Sequence, residues 1–367
     1  MLKLIILAIF SFPIIVLAKS PSSYGQAHLE VSQNLSSKNL VQIINEFVRV
    51  SAPSRMIGKR GHDKAIEYIK STIEKFDSKK SGKSTLASFS PDIIEAQNFY
   101  QNDFNQKVEG KIAKTHPDYQ KWLKFTLYMK GVAEKYKDVK GQNIIWEKAG
   151  LNPNKVLILS AHYDTVSHDP RTLEIRENDS MPGANYNASG VSIALGVIKL
   201  LAKIDLNYSV QVAFLDWQSI GFLGSYQYAK ELKNSGKEIL GIINLEMLGQ
   251  DTSYFDRAKK IGNMCVYTRP DREEVSWVRG LLAHGAKFNN KVDFDLRPNS
   301  FESSDNFRFW EQGLKAATFT QNWEDDFNPK FYQTPQDTPE TLNHETLYSS
   351  YQYLAGATLG TLLDLTK

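Results

Sequence analysis

The sequence predicts an α/β protein, a sheet covered by helices on both faces, and three observations carry that expectation. From residue 142 onward short apolar runs (NIIW, VLILSAH, VQVAFLD, GIINLEM, MCVYT and AATFT) alternate with stretches of helical spacing. VLILSAH is apolar without alternation, as a strand buried on both faces is. With 367 residues, 41% hydrophobic and 23% charged, the chain is long enough to bury a sizeable core, which excludes a disordered chain or a small stapled scaffold.

In chain order, MLKLIILAIFSFPIIVLAKS places one lysine before an apolar run from Leu4 to Leu17, and Val16 and Ala18 complete a small-residue cleavage pattern. Residues 1–18 therefore read as a signal peptide. The run falls short of the roughly 20 residues a spanning helix needs, and Pro13 interrupts it. Cleavage of residues 1–18 removes one charged side chain, Lys3, and is expected to leave no membrane span and a secreted or periplasmic protein. Residues 19–38 form a polar segment rich in Ser, Gln and Asn, and residues 39–367 are expected to be one domain.

Within that domain Leu40, Ile43, Ile44, Phe47 and Val48 recur at helical spacing, and a second helix runs from about His62 to Phe76. The stretch SAPSRMIGKRG between them has the proline and glycines of a turn. An insertion spans about 80–140. Its segment Lys107–Lys140 carries nine lysines against four acidic residues, with Tyr119, Trp122, Phe125, Tyr128 and Tyr136 interleaved. An anionic partner is one reading of it; packing on the domain edge with solvated lysines is the favoured one, because the aromatics form no clear stripe. Further helices are expected at about 188–203, 222–234, 271–287 and 345–366.

A formal charge of +3 over 44 basic and 41 acidic side chains is too balanced for a dedicated nucleic-acid binder. The single cysteine, Cys265, allows neither an internal disulfide nor a thiolate zinc cluster, and its apolar run MCVYT assigns it to the core. A metal site would have to come from the seven histidines and the carboxylates. In an α/β sheet the polar residues at the carboxyl ends of strands line the functional crevice, so those ends are where chemistry is sought.

VLILSAHYDTV puts His162 and Asp164 directly after a buried strand, two residues apart and on one side of an extended chain. PGANYNASGV, FLDWQSIGFLGS, NLEMLG, SSDNFRFWEQG and FYQTPQDT follow in that order. Together these strings resemble the zinc-dependent exopeptidases of metallopeptidase family 28, which include bacterial leucyl aminopeptidases and glutaminyl cyclases. The resemblance runs from about Val41 to the C-terminus. It implies a three-layer α/β/α sandwich with a central mixed, mostly parallel sheet, two zinc ions at its carboxyl edge bridged by an Asp and a water, and a Glu as general base. Such a centre needs clustered carboxylates and neutral imidazoles around metals about 3.5 to 4 Å apart.

By that resemblance His162 matches the first metal-binding histidine and Asp164 the carboxylate that orients it. The bridging Asp is replaced by Tyr186, whose phenol is bulky and neutral at pH 7. Aligning on Gly221, Leu223, Gly224 and Ser225 puts Gln218 at the general-base position and Ser219 at a ligand position. Gln218 has the shape of Glu but no basic oxygen. Asp216 is a substitute only in another register, which the glycines oppose. Glu246 replaces a ligating Asp, Asp305 is retained beside Ser304 and Asn306, and Gln333 stands between Tyr332 and Thr334 where a histidine binds the second metal.

Four of five metal-touching positions are thus changed, three of them to neutral residues. Only His162 and Glu246 remain as ligands, fewer than the three a catalytic zinc keeps. The chain is expected to be a folded but inactive relative, a pseudopeptidase without a cofactor, binding a peptide or protein terminus in a pocket with Trp217 and Tyr332. The alternative is a hydrolase with an altered, single-zinc site using His162, Glu246 and Asp164 or Asp305. A third reading makes His162 and Asp164 a structural pair with the pocket filled by Tyr186 and Trp217. His28, His62, His116, His168, His284 and His344 fall outside the motifs and read as ordinary surface or helix residues.

Overall fold

A computed structural model describes residues 20–251, 263–324 and 330–365; the signal-peptide expectation falls outside them. Ser23 opens α1 (Tyr24–Asn34) by accepting from the Gln26 amide, a capping interaction that satisfies one of the free amides of a helix start. This helix, in the stretch read only as polar, buries Ala27 and Val31. Ser36 and Asn39 form a reciprocal cap on α2 (Ser37–Val50), which buries Leu40, Ile43, Ile44 and Phe47. α3 (Arg60–Phe76) follows with Ala65, Ile66, Ile69 and Ile73 inward.

The segment read as an insertion contains three elements: β1 (Lys83–Phe89), α4 (Ile93–Lys107) and α5 (Pro117–Lys135). β1 is part of the main sheet, paired antiparallel with β2 (Gly141–Lys148). The remaining elements are β3 (Asn152–His162), α6 (Ser189–Leu201), β4 (Tyr208–Leu215), α7 (Leu223–Lys233), β5 (Glu238–Leu245), β6 (Asn263–Tyr267), α8 (Arg272–Gly285), β7 (Asp293–Arg297), α9 (Asn306–Glu311), β8 (Ala316–Gln321) and α10 (His344–Leu362).

The eight strands form one sheet in the order β1-β2-β4-β3-β5-β8-β6-β7. Its centre, β4-β3-β5-β8, is parallel, and antiparallel pairings join β1, β2 and β6 to it. α6 is buried at every residue but Lys199, as a helix that is apolar all round must be. Among the described residues no helix is long and apolar enough to cross a membrane.

Register places the site. His162 at the end of β3 is level with Leu215 at the end of β4, Ser160 with Asn244, and Leu245 with Phe319. His162, Asp216, Glu246 and Gln321 therefore leave the sheet along one edge.

Candidate functional site at the carboxyl edge of the sheet

His162 is fixed by a contact from Nδ1 to the backbone oxygen of Asp164, 3.1 Å away. A carbonyl only accepts, so Nδ1 carries the proton and Nε2 the lone pair. Burial pushes the imidazole down to about 3, and the nearby charge of Arg55 adds to that. It is neutral, and its Nε2 has no hydrogen-bond partner among the described residues. The carboxylate of Asp164 does not perform the orienting role expected of it. It accepts instead from the amides of Gln218 at 3.0 Å and Ser219 at 2.9 Å, while its nearest approach to the His162 ring is 3.8 Å.

Glu246 lies with Oε1 3.9 Å from Nε2 of His162 and accepts from the Ser304 hydroxyl. Burial raises its carboxyl to about 8, with the charge of Asp305 adding and the Ser304 bond opposing. Asp305 is raised to about 7, mainly by burial. Its oxygens make no well-formed hydrogen bond among the described residues, the Ser225 hydroxyl being committed to the carbonyl of Phe222.

Tyr186 fills the space between these groups. Its ring centre is 4.8 Å from that of His162 and 5.3 Å from that of Tyr332, and its hydroxyl donates to Oε1 of Gln218. The side chain of Gln333 lies beside the phenol. Asp337 holds the backbone here by accepting from the amides of Asn185 and Tyr186 at 2.8 and 2.9 Å.

Arg55 completes the clamp, and sequence reasoning missed it. Its guanidinium donates to the carbonyls of Tyr163 (2.7 Å), Pro182 (2.6 Å), Gly183 (2.9 Å) and Tyr186 (3.3 Å). An arginine in a turn carries no local sign of such a role. Gly183 has φ +58°, and a Cβ there would approach Nη2 of Arg55 to 2.6 Å, so a side chain would be excluded on both backbone and contact grounds.

Of the histidines read as ordinary surface or helix residues, His62 is on a helix, α3, yet paired to an acid, and His168 is half-buried outside any helix. His62 is buried, with Nε2 2.8 Å from Oδ1 of Asp216. Asp216 also accepts from the amides of Gln142 and Trp217, which commits it away from the site. His168 points Nδ1 at the carbonyl of Leu173, 2.7 Å away, and lines the cleft.

That cleft has a volume of about 310 Å³. Tyr186, Gln218, Ser219, Tyr332 and Gln333 line one side, and Phe99, Tyr100, Trp122 and Phe125 from α4 and α5 line the other. Of the five aromatics read as edge packing, Trp122 and Phe125 thus wall the candidate site, while Tyr119, Tyr128 and Tyr136 pack into hydrophobic clusters as expected. Trp217, expected in the pocket, is instead wholly buried in a core cluster with Met56, Ile57 and Phe89. Its φ of +56° turns the chain so that Gln218, not Trp217, faces the cleft.

A family model described as Peptidase family M28 matches residues 143–358, from β2 into α10. The chain belongs to this family. Aminopeptidase YwaD from Bacillus subtilis (strain 168) is 28% identical over 227 residues, 59% of this chain and 44% of that protein. A probable zinc metalloprotease from Pyrenophora tritici-repentis (strain Pt-1C-BFP) is 30% identical over 135 residues, 36% of this chain and 27% of that protein. The M28 chain thus spans less than half the length of these curated relatives. Among solved structures, an aminopeptidase from Aneurinibacillus sp. strain AM-1 superposes with a TM-score of 0.63 at 16% identity, covering 92% of this chain and 96% of that one. BSAP, a zinc aminopeptidase from Bacillus subtilis, gives 0.64 at 18% identity, covering 90% and 97%. The three-layer α/β/α sandwich is therefore shared with them.

The side chains at this edge do not fit a two-zinc centre. A phenol, a hydroxyl and two amides stand at Tyr186, Ser219, Gln218 and Gln333, and none offers the anionic or imidazole donor that zinc takes. Among the described residues no group of three or more His, Cys, Asp or Glu is arranged to hold a metal ion.

Proposed function

We propose that this M28 chain is a secreted or periplasmic pseudopeptidase that binds a peptide or protein terminus in the aromatic-walled cleft without cleaving it. One observation carries the reading: the phenol of Tyr186 is hydrogen-bonded to the amide of Gln218. A neutral pair occupies the place where hydrolysis needs a base to take a proton from water. The cleft's mixture of aromatic faces with a few hydroxyls and amides suits a chain end with an apolar side chain.

The test is metal content by plasma mass spectrometry on purified protein, together with release of p-nitroaniline from leucyl p-nitroanilide in added zinc. The expected result is no stoichiometric zinc and no release above background. Two zinc ions per chain, or zinc-dependent turnover, overturns the proposal. N-terminal sequencing of material recovered outside the cytoplasm checks the export part, with Lys19 the expected first residue.

A second reading, a single-zinc hydrolase, is favoured by the unpartnered Nε2 of His162 facing Glu246. One zinc per chain, with turnover abolished in His162→Ala, selects it over the first.

A further inference from the structure

A second cavity, of about 770 Å³, opens far from the cleft. α6 begins at Ser189, whose hydroxyl accepts from the Leu248 amide just past β5. Lys199 comes ten residues later, about 15 Å along the helix axis. α3 likewise starts beside the carboxyl edge, at His62 on Asp216, and ends at Lys75 and Phe76. The C-terminal half of α3, the end of α6 with the residues just past it, and one face of α2 line this open cavity.

Three ammonium groups line it: Lys75, Lys199 and Lys203. Glu46 is also at the wall, but both its oxygens are bonded to Arg49. Among the described residues no carboxylate pairs with any of the three lysines. Lys199 donates to the carbonyl of Asn34 at 2.8 Å and lies over the ring of Phe76. Its pKa is lowered first by partial burial and then by the charges of Lys203 and Lys75, so the three act on one another. Lysines in the last turn of a helix offset its dipole, and two helix ends supply about one unit of negative charge between them against three positive ones. Net positive charge therefore remains at the rim of an open concave space, with Lys199 half-buried and Lys75 and Lys203 exposed.

We propose that this cavity binds a small organic polyanion, its phosphate or paired carboxylate groups held by Lys75, Lys199 and Lys203 and its apolar or ring-bearing body set against Phe76 and Ile43. The volume lies within the range of small-molecule sites, which join an apolar wall to a few fixed polar groups. Hydroxyls of Ser71 and Thr72 and the amide of Asn39 at the same wall supply uncharged contacts. The site is independent of the cleft and of what the cleft binds.

Titration calorimetry at low salt tests it, with inorganic pyrophosphate, citrate and adenosine diphosphate as probes on the full chain. Lys75 and Lys203 are exposed, so the double variant Lys75→Gln/Lys203→Gln retains the fold, which circular dichroism checks. The expected result is saturable binding of at least one probe at one per chain, weakened about tenfold in the double variant, as losing two charge-assisted contacts implies. Preference for pyrophosphate and adenosine diphosphate over citrate assigns the ligand to the phosphate class, and the reverse to the carboxylate class. Trp122→Ala, in the cleft wall, is expected to leave binding unchanged. No saturable binding by any probe, or equal binding in the double variant, overturns the proposal.

Discussion

The hydroxyl of Tyr186 and Oε1 of Gln218 are hydrogen-bonded at 2.5 Å in a site where both side chains are buried. Each is neutral, and the family resemblance assigns each to a position expected to carry a carboxylate. The two replacements satisfy one another. An amide oxygen needs a donor when buried, and a phenol needs an acceptor.

Tyr186→Phe tests that mutual satisfaction. It removes only the hydroxyl, and Oε1 of Gln218 is left buried without its donor. Loss of one partner of a buried pair costs about 1 to 3 kcal/mol. Urea unfolding of the variant should show a lower midpoint with an unchanged slope. The double variant Tyr186→Phe/Gln218→Leu should recover part of the loss, because it removes both polar groups together.

Arg55 is a stronger case. Arg55→Met leaves the carbonyls of Tyr163, Pro182, Gly183 and Tyr186 without their shared donor, and it removes the positive charge near Asp337 and Asp164. A loss of about 3 kcal/mol or more is expected, read as a fall in Tm by calorimetry. If Arg55→Met melts with the wild type, the guanidinium does not hold the 182–186 segment.

The difference between these residues and the central strands explains what the sequence could disclose. β3, β4 and β5 are buried on both faces, so their apolar runs are unbroken and their ends point to His162, Asp216 and Glu246. The expectation that ligands are replaced rests on the surrounding glycines, Asn244 and Phe309, which keep the motif spacing. α4 and α5 were not legible as a cleft wall, since their aromatics divide between core, cleft and surface and leave no stripe. β7 left a trace, the alternation of Val292, Phe294 and Leu296, but it is short. The Arg55 clamp and the His62–Asp216 pair, the latter 154 residues apart in sequence, join a turn and the start of α3 to the segments that follow strands, through tertiary contacts that no local pattern records.

His62 gives a pH-dependent expectation. Burial acts to lower its pKa, but the charge and hydrogen bond of Asp216 outweigh it, and the net direction is upward. The folded state thus holds the proton more tightly than the unfolded chain, where histidine titrates near 6.5. The stabilisation is complete below that value and is lost as pH rises through the higher folded value. Unfolding free energies of wild type and His62→Gln, measured from pH 5.5 to 9, should differ most at the acid end and converge at the alkaline end. A difference that is constant with pH assigns His62 a packing role alone.

Putting the family's expected donors back at these positions is the converse test of the proposed function. If the family's spacing is retained, Tyr186→Asp, Gln218→Glu, Ser219→Glu, Glu246→Asp and Gln333→His together should restore zinc binding, because the backbone that would present them is held by groups the changes do not touch. Asp337 fixes the amides of residues 185 and 186, Asp164 fixes those of 218 and 219, and strand pairing with β8 fixes the approach to 246. Removing the Tyr186 ring also frees the space beside Nε2 of His162. The apo form should be less stable than wild type, since new carboxylates are brought together without a counter-charge, and zinc should recover that loss by binding the folded state alone. Equilibrium dialysis should find close to two zinc ions per chain, and Tm should rise with zinc in the variant and not in the wild type. A folded variant that binds no zinc refutes the motif alignment itself, because the donors would then not converge where the scaffold is said to place them.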